Sequence, residues 1–278
     1  VFGDVATLLK SYENLPKGKP HSRAAAARAA RELCYAYHYW DLFHNDMARE
    51  KLAQLLEKEA DLFSSYAELK SLIEEQIRIL QKLEQAHKEP KLKAINAYHM
   101  AKLAEDRRDW VKCVVFANIS YEQVLIERVL RIAQDRIGHR PNPFRWKESL
   151  REIMQQSSEE KKQDVKSFCD ECKELFQTQS LPEYLGVGLI VKLLKAWDQE
   201  FKQDNFRREA KERVTDVRDK ALHRMAPPDE KKAKEALEAV EEALSRTFGE
   251  GIKAEIEGFP FSKEAFRTIR EHLHDLLA

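Results

Sequence analysis

Arg218-Asp219-Lys220-Ala221-Leu222-His223 is the stretch of this sequence best equipped for acid–base chemistry on a phosphodiester. An imidazole titrates near neutral pH, so it can take a proton from a 2′-hydroxyl and return one to a leaving oxygen. A guanidinium keeps its charge and offers a planar fork to a phosphate whose charge grows during cleavage. Lys202 to Arg224 carries eight Lys or Arg against five Asp or Glu, so this segment is basic although the chain, with 48 residues of each sign, is neutral. Any nucleic-acid contact must therefore be a local patch, because no global field steers one. The spacing alone is weak: 21 Arg and 9 His in 278 residues produce about 0.7 such pairs by chance, and a second stands at Arg267–His272. Helix geometry adds a condition, since positions five apart point about 140° away from each other. One helix does not easily aim Arg218 and His223 at one phosphate. The plain alternative pairs Arg218 with Asp219 or Glu212 on a solvated face and leaves His223 as a helix-end residue favourable to the dipole.

Other chemistries find less support. The eight glycines are scattered and none opens a helix after a strand, which excludes a Rossmann or Walker nucleotide site. Cys169-x-x-Cys172 is a single pair, whereas structural zinc needs four ligands and Cys34 and Cys113 stand far away. Two thiols on one helix face is the simpler account, and no metal or cofactor is expected. The run Tyr35-Ala36-Tyr37-His38-Tyr39-Trp40-Asp41-Leu42-Phe43-His44 has the look of a base-stacking platform. At helical spacing, however, Tyr37, Trp40 and His44 share one face and read as core.

The elements that must position these residues are helices. Only 17 residues are Gly or Pro, and 43% are hydrophobic against 35% charged, enough for a real core under a wet surface. Apolar residues recur at steps of three and four almost throughout, so the expected class is all-α. Expected helices run over 4–13 and, with Ser22 as a cap, through the aromatic run. A stripe from Leu52 to Leu83 follows, in one long helix or two broken near Ala60, packed in a bundle or a dimer seam. Further helices are expected over 92–107, 109–137 with Asp109 as the cap, 144–154, 159–176, 182–201 and 205–223. Asp229 opens another, and Ser262 caps the last. Only 252–261 reads as strand. His87 to Lys91 is the clearest interruption, dividing a helical bundle or linker domain (1–90) from a second helical domain (91–278).

Taken together, these segments resemble the HEPN superfamily of helical ribonucleases, whose signature is an Arg, a polar residue, a few more positions and a His. Asp219 fills the polar position and Leu222 the apolar one before His223. The family often has Asn after the Arg and Gly after the His; Asp219 and Arg224 stand there instead, and neither change removes an acid–base group. Asn96-Ala97-Tyr98-His99, then Arg107-Arg108-Asp109-Trp110, then Tyr121-Glu122-Gln123 are similar to the opening helices of HEPN domains in CRISPR-associated proteins. Tyr39-Trp40-Asp41-Leu42-Phe43 followed by Ala48, and the late Gly258-Phe259-Pro260, resemble the linker domain of CARF–HEPN proteins. The copy at Arg267 fits less well, with Thr268 in the polar position, and lies on the last helix, where the family does not keep its site.

The resemblance implies a helical bundle linker followed by a HEPN-type domain and a metal-independent endoribonuclease acting on single-stranded RNA in CRISPR-linked antiviral defence. It also implies a homodimer in which Arg218 and His223 of two copies build one composite site, Asp219 orienting either group. Arg207, Arg208, Lys211 and Lys220 are the nearest basic candidates for RNA binding. No CARF sensor is visible before Tyr35, so a sensor domain or regulatory chain would lie outside this sequence, which lacks an initiating Met and is expected to be a fragment or a part of a longer chain. A non-catalytic helical scaffold or RNA-binding dimerisation module, or a HEPN toxin held by a partner chain, stands as the alternative. Neither a signal peptide nor a membrane span of roughly 20 apolar residues is legible, so a cytoplasmic protein is expected.

Overall fold

A computed structural model describes residues 21–64, 66–85, 89–203, 211–223 and 226–277. Among them every regular element is helical, and the fold class is all-α. None of their helices is long and apolar enough to cross a membrane. The chain divides into two compact units, one comprising Val1–Ala86 with Glu255–Ala278 and the other His87–Ala254. The helix expected over 4–13 lies outside the described residues.

In the first unit, α1 (His21–Asp41) packs on α2 (Asn45–Lys58), and α2 packs on α4 (Ala67–Gln85) after the short α3 (Ala60–Ser64). Helix α1 already includes Ser22, which therefore sits inside the helix instead of capping it. The stripe from Leu52 to Leu83 is thus folded on itself: Leu52, Leu55, Leu69, Ile73, Leu80 and Leu83 are buried within one unit. Its turn falls at Glu59, next to the expected break. Of the aromatic run, Tyr37 and Trp40 are core, but α1 ends at Asp41 and leaves His44 exposed beyond the helix.

The C-terminal segment joins this unit, not the second domain as the sequence reading has it. The reason is aromatic. Phe261 stacks on Trp40 at 4.6 Å and Phe266 meets Tyr37 edge-on at 4.8 Å, joining the segment to the core of the first unit. Gln76 completes the joint, accepting from the Tyr37 hydroxyl at 3.0 Å and donating to the Pro260 carbonyl at 2.7 Å. The expected strand at 252–261 is a short helix, Ile252–Glu257 (α13), and a turn leading into α14 (Lys263–Leu277), which Ser262 caps by accepting from the Ala265 N–H. A lone strand would have had no sheet to satisfy its backbone.

The second unit is built on an antiparallel pair, α5 (Pro90–Asp106) and α6 (Trp110–Ile137). Ala94, Ala97, Ala101 and Ala117 are fully buried, small enough for close approach, and Ser120 Oγ donates across to the Ala94 carbonyl at 2.7 Å. Arg108, at φ 57°, turns the corner, and Asp109 caps α6 by accepting from the Lys112 N–H. Helices α7 (Trp146–Gln156), α8 (Glu159–Phe176), α9 (Val187–Trp197) and α10 (Gln199–Gln203) follow. The expected helix over 182–201 starts late because 183–185, which bends at 183 and 184, is tied to the 143–146 turn by two backbone hydrogen bonds of 2.8 Å. It also breaks at Asp198, which accepts from the Phe201 N–H. A π-helical turn at Lys211–Thr215 runs into α11 (Asp216–His223), and α12 (Glu230–Phe248) closes the unit against α5 and α6.

Candidate functional site

Helix α11 reaches the unit through its π-helical entry. Val214, in that turn, is completely buried where the turn packs on α6 and α12. A π turn carries one residue more than an α turn, a geometry that recurs at functional sites, and it sets the phase of everything after it. Arg218 follows Val214 by four residues, so it sits on the same side of the helix, toward α6.

There the guanidinium lies between two carboxylates. Its Nε is 3.1 Å from Asp219 Oδ1, and its outer nitrogen Nη2 is 3.6 Å from Glu122 Oε1 on α6. The same Glu122 oxygen accepts a 2.7 Å hydrogen bond from Asn118 Nδ2, one turn earlier on α6. Arg218 and Glu122 are each about a quarter exposed, with side-chain accessibilities of 26% and 27%, and Asn118 is buried. Two polar atoms in this cluster are mismatched. Arg218 Nε is shut off from solvent with Asp219 out of line for a hydrogen bond, and Asn118 Oδ1 is buried with no donor among the described residues. Buried atoms left in that condition are uncommon in proteins.

Asp219 is half-exposed and Lys220 is exposed. Leu222, one turn beyond Arg218, is 48% exposed, a large apolar side chain left uncovered beside the cluster. His223 is the last residue of α11, and the Ala226 N–H donates to the Lys220 carbonyl. His223 and Lys211 are placed here by their backbone. Arg207 and Arg208 lie outside the described residues. With α11 regular from Asp216 onward, the 140° between positions 218 and 223 applies to this chain.

The second Arg-x4-His pair is absorbed by structure. Arg267 pairs with Glu271 at 3.8 Å, and His272 lies 3.5 Å from Glu68 and edge-on to Tyr66, all within the first unit. Most upstream motif residues are structural as well. Asn96 and His99 are buried in α5, and the Tyr98 hydroxyl donates to Glu241 at 3.0 Å, its pKa driven upward by burial and by that carboxylate. Glu122 is the exception. Its place in Tyr121-Glu122-Gln123 was legible, but its meeting with Arg218 was not, and Asn118 was missed; the only local signal was their spacing of four on one helix face.

Cys169 and Cys172 are both buried in α8, and burial pushes the Cys169 thiol up to about 11 and Cys172 higher. No group of three metal-ligating side chains occurs among the described residues. An acidic groove of about 740 Å³ lined by Glu238, Glu241, Glu242 and Glu250 shares no residue with the Arg218 cluster. The chain matches no protein-family model, no curated protein and no solved structure.

Proposed function

We propose that the chain is a metal-independent endoribonuclease of the HEPN type, cleaving single-stranded RNA at a composite site that Arg218 and His223 of two copies form together, in CRISPR-linked antiviral defence. One observation carries this reading. Glu122, from one HEPN-like segment, lies beside Arg218, from another far along the chain. Two separate stretches that the resemblance singles out meet at one guanidinium. The exposed Leu222 adds an apolar contact for a second copy next to that point.

In this reaction His223 takes the proton of a 2′-hydroxyl as its oxygen attacks the adjacent phosphorus. The phosphorus–O5′ bond breaks, and an imidazolium returns a proton to the departing oxygen. The products are a 2′,3′-cyclic phosphate and a 5′-hydroxyl. Arg218 holds the phosphate while its charge develops. Asp219 orients the guanidinium, and Arg207, Arg208, Lys211 and Lys220 follow the RNA backbone.

The test is a quenched fluorescent single-stranded RNA in excess EDTA, with wild type beside His223→Ala. Loss of general acid–base catalysis is worth about 10²–10⁴ in rate, so the variant should be nearly silent. Equal cleavage by both proteins would remove the site assignment.

The two carboxylates around Arg218 favour a second reading, a non-catalytic helical module, because they already neutralise the cation. Such a protein dimerises and binds RNA without turnover, its affinity falling steeply with salt.

A further inference from the structure

We infer that Glu122, held by Asn118, is the positioning residue for Arg218, an assignment that rests on the ribonuclease reading above. Asp219 alone leaves the guanidinium under-determined, because it is the neighbouring residue on the same helix, half-exposed, and out of line with the Nε–H. Glu122, at 3.6 Å, is an ion-pair partner and not a hydrogen-bond acceptor, but it is less exposed than Asp219, 27% against 50%. It comes from α6, the longest helix of the second unit, and its oxygen is fixed by a buried amide one turn away at 2.7 Å. It faces Nη2, the nitrogen that belongs to both bidentate edges of the fork. The carboxylate therefore draws that nitrogen toward a point held by the α6 scaffold and leaves Nη1 for a phosphate oxygen.

The mismatched atoms support a working arrangement over a merely stabilising one. A pair serving stability alone would settle into full hydrogen bonding, whereas among the described residues a buried donor on Arg218 and a buried acceptor on Asn118 go unmatched within one cluster. Orientation set from a rigid helix is what phosphoryl chemistry needs, since small misplacements of a positioning group cost up to about a hundredfold in rate.

A simple shield makes the opposite prediction. If Glu122 only neutralised Arg218, removing its charge would strengthen RNA binding and leave the chemical step intact or faster. The discriminating variant is Glu122→Gln, which keeps the size and the acceptor for Asn118 but loses the charge. Its kcat on the quenched RNA should fall roughly 10- to 100-fold while KM stays level or drops. Asn118→Ala, which frees the carboxylate without removing it, should give a smaller fall in the same direction. Urea midpoints of both variants, within a few tenths molar of wild type, separate positioning from damage to the fold. An unchanged or increased kcat in Glu122→Gln overturns the assignment and makes Glu122 a shield. A fall carried by KM alone, or one that tracks a lowered urea midpoint, overturns it too. Absence of cleavage by wild type removes the ribonuclease reading itself, and the role of Glu122 with it.

Discussion

Arg128→Met should destabilise the second unit by about 3 kcal/mol, the low end of the cost of breaking a buried ion pair from one side. Arg128 sits in the middle of α6 with its side chain only 9% exposed, its Nε 2.7 Å from Asp198 Oδ2 and its outer nitrogen 2.6 Å from Glu200. The two acids would not suffer equally. Glu200 is more than half exposed and returns to water at little cost. Asp198 is 10% exposed and keeps only what its own turn supplies, chiefly the Phe201 N–H at 2.9 Å. That residual support is why the low end applies. With a slope of roughly 3 kcal/mol per molar for a domain of this size, the urea midpoint read by tryptophan fluorescence should fall by about 1 M at constant slope. Adding Asp198→Asn removes the stranded charge but keeps the acceptor for Phe201, so the double variant should regain about 2 kcal/mol.

The same pair sets a pH signature. Burial alone would raise the Asp198 pKa, but the Arg128 hydrogen bond and the Phe201 N–H outweigh it and hold the carboxyl below its ordinary value. A depressed native pKa gives stability that is present above the unfolded value near 4 and is lost as pH falls through the native one. In Arg128→Met the sign reverses: the stranded carboxylate prefers its proton, so the gap to wild type should narrow on acidification from pH 7 to pH 5. A loss below 0.5 kcal/mol, or a gap that widens with acid, would refute the burial of this pair.

Two further outcomes follow from the cores. Gln76→Leu strands both the Tyr37 hydroxyl and the Pro260 carbonyl, which should cost about 3 kcal/mol and lower the thermal midpoint of the first unit by about 10 °C in calorimetry; a shift within 2 °C, on the order of a few tenths of a kcal/mol, would count against the joint. Burial raises the thiols of Cys34 and Cys169 to about 11 and Cys113 to about 12, so at pH 8 alkylation should be slower than that of a free cysteine by roughly two hundred times for the first two and roughly two thousand for Cys113, and should recover in denaturant. Fast labelling of the native protein would place those thiols at the surface.

The Arg218 cluster shows how position changes the meaning of a motif. Two Arg-x4-His pairs stand in the sequence, and spacing does not separate them. In the structure one closes on acids of its own unit, His272 on Glu68 and Arg267 on Glu271. The other also meets acids of its own unit, Asp219 and Glu122, but lies beside an exposed leucine, with Glu122 held by the buried Asn118. The surroundings distinguish them.

Helices and many of their ends were legible because their causes are local. A stripe repeats within four residues, and Asp109 and Ser262 accept hydrogen bonds three residues ahead; the helix expected from Leu92 starts two residues earlier, at Pro90, whose missing N–H costs nothing there. Where the chain ran against a distant partner, local reading failed. The 252–261 segment alternates enough to suggest a strand, but its surroundings are helical and its aromatics belong on Trp40. The helix over 182–201 starts late because backbone groups at 143–146 claim 183–185. The π turn leaves no mark in composition; it carries Val214, buried where the turn packs on α6 and α12, into α11. Sequence alone thus determined an all-α chain with Arg218 and His223 on one of its helices. Only tertiary structure decided that the C-terminus returns to the first unit and that Glu122 and Asn118 meet Arg218, because contacts between residues distant along the chain are selected by packing and charge, which no local pattern records.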